Sequence, residues 1–177
     1  PSTGTVVSSL SSGDTTKVLV TANSGYFVSN WKTWLSDQSV GVTDSNVTGI
    51  RFEYSAPDGY VDTGKVMASG IKLYQSSSAT TNIAFVYDGT IYAPVSCEQL
   101  FYDIGRSYNT TPEEASSIIF NNFNTSLVTG MSQMFMHCEI TTALDLSGFD
   151  TSNVTAMLYM FCNNTALKEI NLKSFNT

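Results

Sequence analysis

Residues 123–148 read FNTSLVTGMSQMFMHCEITTALDLSG, and residues 149–174 read FDTSNVTAMLYMFCNNTALKEINLKS. Laid over one another without a gap, they share the pattern F-[ND]-T-S-x-V-T-x-M-x-x-M-F, a variable stretch, and then [LI]-[DN]-L. Phe123, Phe149 and Phe175 therefore recur every 26 residues, and Phe175-Asn176-Thr177 begins a third unit. A degenerate unit precedes these. Ile118 and Phe120 stand 26 residues before Leu144 and Leu146, while Leu100-Phe101 resembles Met134-Phe135 at a distance of 34. The extra residues fall in Gly105–Ser116, which carries Pro112, Glu113 and Glu114 and reads as a loop insertion.

The repeat has a physical reading. Leu144-Asp145-Leu146 and Ile170-Asn171-Leu172 alternate apolar, polar and apolar, the period of a half-buried strand. Strands centred on Ile119, Asp145 and Asn171 are expected side by side, in parallel and in register. Met131, Met134 and Phe135 are spaced like one face of a helical turn, as are Met157, Met160 and Phe161, with Thr129 and Thr155 placed to cap it. The Thr-Ser pairs at 125–126 and 151–152 can bond nearby backbone and fix a corner. Phe123, Phe149, Met134, Met160, Leu146 and Leu172 are the expected core. A strand and a turn in each unit, neither able to bury its apolar face alone, is the layout of a leucine-rich-repeat solenoid. The expected fold is α/β but β-dominated: a right-handed solenoid with short parallel strands, preceded by a β-rich N-terminal cap.

These residues resemble the BspA-like leucine-rich-repeat surface proteins of bacteria. The family motif is close to M-F-x-x-C-x-x-L-x-x-L-D-L-S-x-F-D-T-S-x-V-T-x-M. The matching run is Met134-Phe135-Met136-His137-Cys138, then Leu144-Asp145-Leu146-Ser147, then Phe149-Asp150-Thr151-Ser152-Asn153-Val154-Thr155. The resemblance covers 116–177 well and 91–115 loosely, with TIYAPVSCEQLF at 90–101 like the entry to a first repeat. Each unit is one residue longer than the commonest family spacing, and Cys162 stands two positions early, where the other unit has Met136. The resemblance implies a secreted or surface-anchored bacterial protein that binds other macromolecules.

Composition narrows the function independently. Of 177 residues, 42% are hydrophobic and 12% aromatic, which excludes a disordered chain. Only 13% are charged, while 24 Ser, 22 Thr and 13 Asn make up a third of the chain and suit strands and turns. A net charge of −7 with eight Lys and Arg argues against nucleic acid and against an anionic membrane surface. No apolar run is long enough to cross a bilayer. Cys97, Cys138 and Cys162 form no C-x-x-C, and their odd number fits buried, reduced thiols better than a disulfide framework.

Ahead of the repeats, residues 1–16 read as a flexible lead-in and 17–92 as a β-rich cap with one short helix; the repeats run over 93–177 as one degenerate unit, two regular ones and a truncated third. Lys17–Val20, Val47–Tyr54 and Ile71–Tyr74 are expected strands. Ile83–Tyr87, Asp88-Gly89 and Thr90–Tyr92 carry the signal of a hairpin on a type I′ turn. Trp31, Trp34 and Leu35 share a helical face behind Ser29 or Asn30 as cap. Such tryptophans serve either as a sugar platform or, more commonly, as packing against a sheet.

Catalytic patterns are weak. His137 is the single histidine, and Asn163 replaces it one unit later, so the fold does not need it. Glu113-Glu114 follows Thr111-Pro112 in the insertion, but adjacent carboxylates point apart and hold no fixed separation. No G-x-S-x-G, P-loop or calcium-loop pattern occurs. The expectation is therefore no enzyme, no cofactor and no metal. The candidate binding surface is the outward strand face: Ser117, Ile119 and Asn121; Ala143, Asp145 and Ser147; Glu169, Asn171 and Lys173. Its expected partner is a host extracellular protein or glycan, met outside the cell or on the bacterial surface. A structural spacer presenting another domain is the alternative reading, and an accessory domain of a glycan-active enzyme a remote one. The edge after the unit 149–174 is expected to be covered by further repeats or by self-contact.

Overall fold

The computed structural model describes residues 24–105, 117–138 and 143–176. The expected lead-in over 1–16, the strand Lys17–Val20 and the Thr111–Glu114 stretch lie outside them. In chain order the elements are β1 (Ser24–Tyr26), α1 (Trp31–Asp37), β2 (Gly49–Glu53), β3 (Tyr60–Val66), β4 (Lys72–Ser76), β5 (Asn82–Val86) and β6 (Thr90–Tyr92). Then come β7 (Ser117–Phe120), β8 (Ala143–Asp145) and β9 (Glu169–Asn171).

Five strands form one sheet in the order β3-β4-β5-β2-β7. β5, β2 and β7 run parallel, with β7 at one edge; β4 is antiparallel to β5, and β3 is antiparallel to β4 at the other edge. β7 belongs to the degenerate repeat, so the N-terminal region and the repeats share a sheet. Register lines up Ile50 with Ile83 and Ile118, and Phe52 with Phe85 and Phe120. Strand alternation turns these side chains to the core and sends Arg51 and Ile119 to the other face. Phe52 sits at the centre of the aromatic packing, its ring 4.5 Å from Phe123, 4.9 Å from Phe27 and 5.5 Å from both Phe85 and Phe120. Offsets and edge contacts of this kind add to the burial of large apolar rings. Trp31 and Leu35 of α1 are fully buried against this cluster, which settles the helix as packing and not as an exposed platform.

The 26-residue period is visible in the hydrogen bonds. β8 and β9 pair in parallel with Ala143 opposite Glu169, Leu144 opposite Ile170 and Asp145 opposite Asn171. On another wall of the units, the N–H groups of Met131, Gln133, Phe135 and His137 donate to the carbonyls of Ala156, Leu158, Met160 and Cys162. One unit earlier, Cys97, Gln99, Phe101 and Asp103 donate in the same way to Gly130, Ser132, Met134 and Met136. Left-handed residues recur in step: Gln99, Gln133 and Tyr159 have φ of 56, 57 and 56°, and Asp103, His137 and Asn163 have 57, 55 and 58°. A buried threonine binds each unit to the next. Thr125 Oγ1 donates to Asp150 O at 3.0 Å and accepts from Asp150 N at 2.8 Å, and Thr151 makes the same exchange with Asn176.

Several expectations are corrected. β5 and β6 do not form a hairpin: β5 is flanked by β2 and β4, whereas β6 pairs in parallel with β1. A type I′ turn needs positive φ at both central residues, and neither Asp88 nor Gly89 has it. Instead the Asn122 side chain holds this corner by donating to the carbonyls of Tyr87 and Gly89. Met131–Phe135 is not a helical turn; Met134 N bonds Met131 O and Met136 N bonds Gln133 O, closing successive turns around left-handed Gln133. Thr129 and Thr155 cap nothing: their N–H groups donate to Val95 O and Thr129 O across the stack. Asn30 precedes α1 without a side-chain cap. Strands in the units centre one residue before Asp145 and Asn171. Leu172 is not core but 38% exposed, directly after β9, the outer strand of the β8–β9 pair. Cys97 and Cys138 are buried free thiols, while Cys162, in the last unit, is half-buried.

Candidate functional site

β7, β8 and β9 lie next to one another and present their non-core side chains to solvent. The face they make is an open, shallow groove of about 690 Å³. The structure brings Ser117, Ile119, Asn121, Ala143, Asp145, Ser147, Glu169 and Asn171 together along it; Lys173 lies outside its lining.

The polar groups along the groove are held in fixed positions. Asp145 accepts from Ser147 N at 2.9 Å, and Asn171 Oδ1 accepts from Lys173 N at 3.2 Å, the same turn repeated one unit on. Hydrogen bonds from the Ser147 hydroxyl and backbone, with a further one from the Asn171 side chain, hold the Asp145 carboxyl below its ordinary value. Asp145 therefore stays ionised and is an acceptor rather than a general acid.

Sequence reading missed the support that β2 gives Asn121, at the β7 side of the groove. Asn121 Nδ2 donates to both oxygens of Glu53, at 3.0 and 2.8 Å. Glu53 is buried and is gripped from its own strand by Arg51, with Nη2 2.7 Å from Oε1. The alternation in Gly49-Ile50-Arg51-Phe52-Glu53 places Arg51 and Glu53 on one face, but nothing local signals that β2 pairs with a strand some 65 residues later. The groove lining itself carries the carboxylates of Asp145 and Glu169 and no Lys or Arg side chain.

The other candidates lie elsewhere. His137 stands on the turn wall, its Nε2 3.2 Å from Asn163 Nδ2 and its ring edge-on to Tyr102. Burial pushes the Cys97 thiol up to about 12, so it is a protonated, inert packing group. Among the described residues, no group of three or more His, Cys, Asp or Glu could hold a metal ion. No helix among them is long and apolar enough to cross a membrane.

Residues 97–177, a little under half of the chain, match the model of a family described as "Mycoplasma protein of unknown function, DUF285". The match begins at Cys97, the first residue of the earliest hydrogen-bonded unit on the turn wall. No curated protein and no solved structure matches the chain.

Proposed function

We propose that this chain is a non-catalytic binding module of a bacterial cell-surface or secreted protein, built as a leucine-rich-repeat-type solenoid of the BspA-like kind, and that its strand face contacts a host or matrix macromolecule. The observation that carries this reading is the groove over β7, β8 and β9. It is wide, shallow and formed by three units at once, which suits an extended protein or glycan partner better than a small molecule enclosed on all sides. Ile119 gives it an apolar contact, Asp145 and Asn171 give pre-oriented acceptors, and Glu169 adds a second carboxylate. These groups favour recognition over a merely inert spacer.

The test is capture of extracellular-matrix proteins and mucin glycans on the immobilised chain. Asp145→Lys with Glu169→Lys is expected to lower capture at least about tenfold, since charge reversal at contact positions costs more than a unit of 1.4 kcal/mol. Lys65→Glu on β3, away from the groove, is expected to leave it unchanged. Equal capture by all three proteins, or none by any, overturns the reading.

A further inference from the structure

The five-stranded sheet has a second face, turned away from the aromatic core. Register sets Asp62, Tyr74, Ala84, Arg51 and Ile119 in one row across β3, β4, β5, β2 and β7. The chain neighbours Leu73, Phe85 and Phe52 turn to the core, so by strand alternation this row turns from it. Ile119 ends the row at the groove, while Tyr74 and Arg51 stand outside the groove's lining. Ala84 is fully buried, although it has the smallest side chain of the row. Taller side chains must therefore lie over it. Tyr74 and Arg51 flank it directly, and Tyr60 of β3, opposite Ser76, can reach in from the adjoining row.

The direction of Tyr60 follows from its electrostatics. β3 and β2 are three strand spacings apart, about 14 Å. Even so, the phenol feels both charged groups of β2: burial raises its hydroxyl above the ordinary value, Arg51 pulls it back, and Glu53 raises it further. A ring pointing off the β3 edge would lie too far from them. The half-buried Tyr60 ring therefore leans inward across the sheet, with one side toward Ala84. Beside it, Arg51 is held in place. Its Nε and Nη2 donate to Glu53 Oε1 at 2.8 and 2.7 Å, and Glu53 is buried and gripped from β7 by Asn121. The guanidinium side chain is 32% exposed, and its Nη1 donates to no described residue. At the other end of the row, Asp62 Oδ1 accepts from Gly64 N at 2.7 Å, which orients that carboxylate over the bulge in β3.

We propose that Tyr60, Tyr74 and Arg51 form a subsite for a neutral, β-linked pyranose of a glycan chain, on the N-terminal sheet and separate from the groove of the repeats. The occupant follows from the chemistry of the row. A pyranose whose hydroxyls are all equatorial has a flat apolar C–H face and a polar rim. Tyrosine rings lying along a sheet meet the first, while the free Nη1 of Arg51 and the carboxylate of Asp62 give the rim a donor and an acceptor. Charge selects against acidic sugars: Glu53 already offsets Arg51, Asp62 stands in the same row, and the chain carries a net charge of −7. A proline-rich peptide also packs on tyrosine rings, but its backbone offers carbonyls without donors and leaves Asp62 unmet. The subsite goes beyond the groove reading and does not depend on it.

The test is an NMR titration of the native chain, labelled in its tyrosine rings and backbone amides, with cellohexaose, chitohexaose, a galacturonate hexamer and a decaproline peptide. At least one of the two neutral sugars is expected to shift the Tyr60 and Tyr74 ring signals saturably, while Tyr26 and Tyr92, stacked on each other at β1 and β6, stay in place. The galacturonate hexamer and decaproline are expected to shift neither pair. Tyr60→Ala is expected to weaken sugar binding at least about fivefold, and Tyr60→Phe, which keeps the flat ring, to remain within about twofold of the native chain. The native-chain shifts decide the matter even if the alanine variant does not fold. No shift with either neutral sugar at millimolar concentration, shifts with decaproline or galacturonate instead, or equal binding by a folded Tyr60→Ala chain would each overturn the proposal. Shifts confined to the amides of Asp145 and Asn171 would overturn this subsite and leave the groove reading standing.

Discussion

The N-terminal region and the repeats solve the same burial problem in opposite ways. Around Phe52, cohesion comes from rings that meet once each: Phe27, Phe85, Phe101, Phe120 and Phe123 all touch it, at different angles. In the units after Phe123, cohesion comes from one set of contacts used again: the threonine exchange, the turn-wall hydrogen bonds and the paired left-handed residues. The first arrangement is strong but cannot be continued; the second can be continued, and therefore needs ends. A change in the aromatic centre should disturb the whole molecule, whereas a change in the units should act according to how many neighbours the unit has.

The largest effect belongs to the aromatic centre. Phe52→Ala removes a fully buried ring and is expected to cost about 3–5 kcal/mol, read as a shift of the denaturant midpoint in a single transition. A transition that split in two, leaving the repeats folded, would break the picture of a shared sheet.

Trp31→Phe keeps the ring packing but removes the indole donor, stranding the Leu100 carbonyl. An unpaired buried acceptor costs roughly 1–3 kcal/mol, measurable by the same denaturation. Next comes a paired comparison. Thr125→Val removes an exchange buried between two units and is expected to cost about 1–3 kcal/mol, while Thr151→Val removes the same exchange in the last unit and is expected to cost less than about 1 kcal/mol, because water reaches Asn176. Equal losses would mean that the two interfaces are equally covered.

Tyr159→Gly has the opposite sign. Tyr159 holds a left-handed φ of 56° at an exposed position, and glycine adopts that conformation without the clash of a side chain. A melting point raised by up to a few degrees is expected, about 1 kcal/mol or less.

The smallest effect is that of acid. Asp145 and Asp150 have carboxyls held below the ordinary 3.8 by hydrogen bonds from Ser147 and Ser152 respectively. Depressed carboxyls stabilise the fold above the ordinary value, and that contribution fades as pH falls through their folded values. Both groups lie at the surface, so denaturation midpoints at about pH 5 and about pH 3 should differ only slightly on their account, and Asp145→Asn should narrow the difference further.

How much was legible in the sequence follows the same division. The hydrogen-bonded steps of 26 and 34 residues, most of the expected core and the place of every expected face residue but Lys173 along the groove could be read from the repeat, because a contact made twice leaves its spacing twice. The β5–β6 hairpin could not be rejected locally. Asp88-Gly89 carries a turn signal, yet β5 gains more by lying between β2 and β4, and that choice is made by residues far away in sequence. Arg51 and Glu53 escaped for the same reason. The helical turn expected at Met131–Phe135 failed on spacing alone: a run of turns places the same residues inward, and only the left-handed Gln133 and His137 distinguish the two. Trp31 was recognised as packing, but its second role, as a donor to the Leu100 carbonyl, exists only once the stack is seen.

The central claim is that successive units are joined in register by the turn-wall hydrogen bonds. Amide hydrogen exchange on the unmodified chain tests it most directly, since Met131, Gln133, Phe135 and His137 occupy the same positions as Met157, Tyr159, Phe161 and Asn163 and differ only in having a following unit. The account predicts slow exchange at the first four amides and exchange faster by about two orders of magnitude or more at the second four, the difference between an opening reaction and an open edge. Equal rates at the two sets, fast or slow, would contradict it.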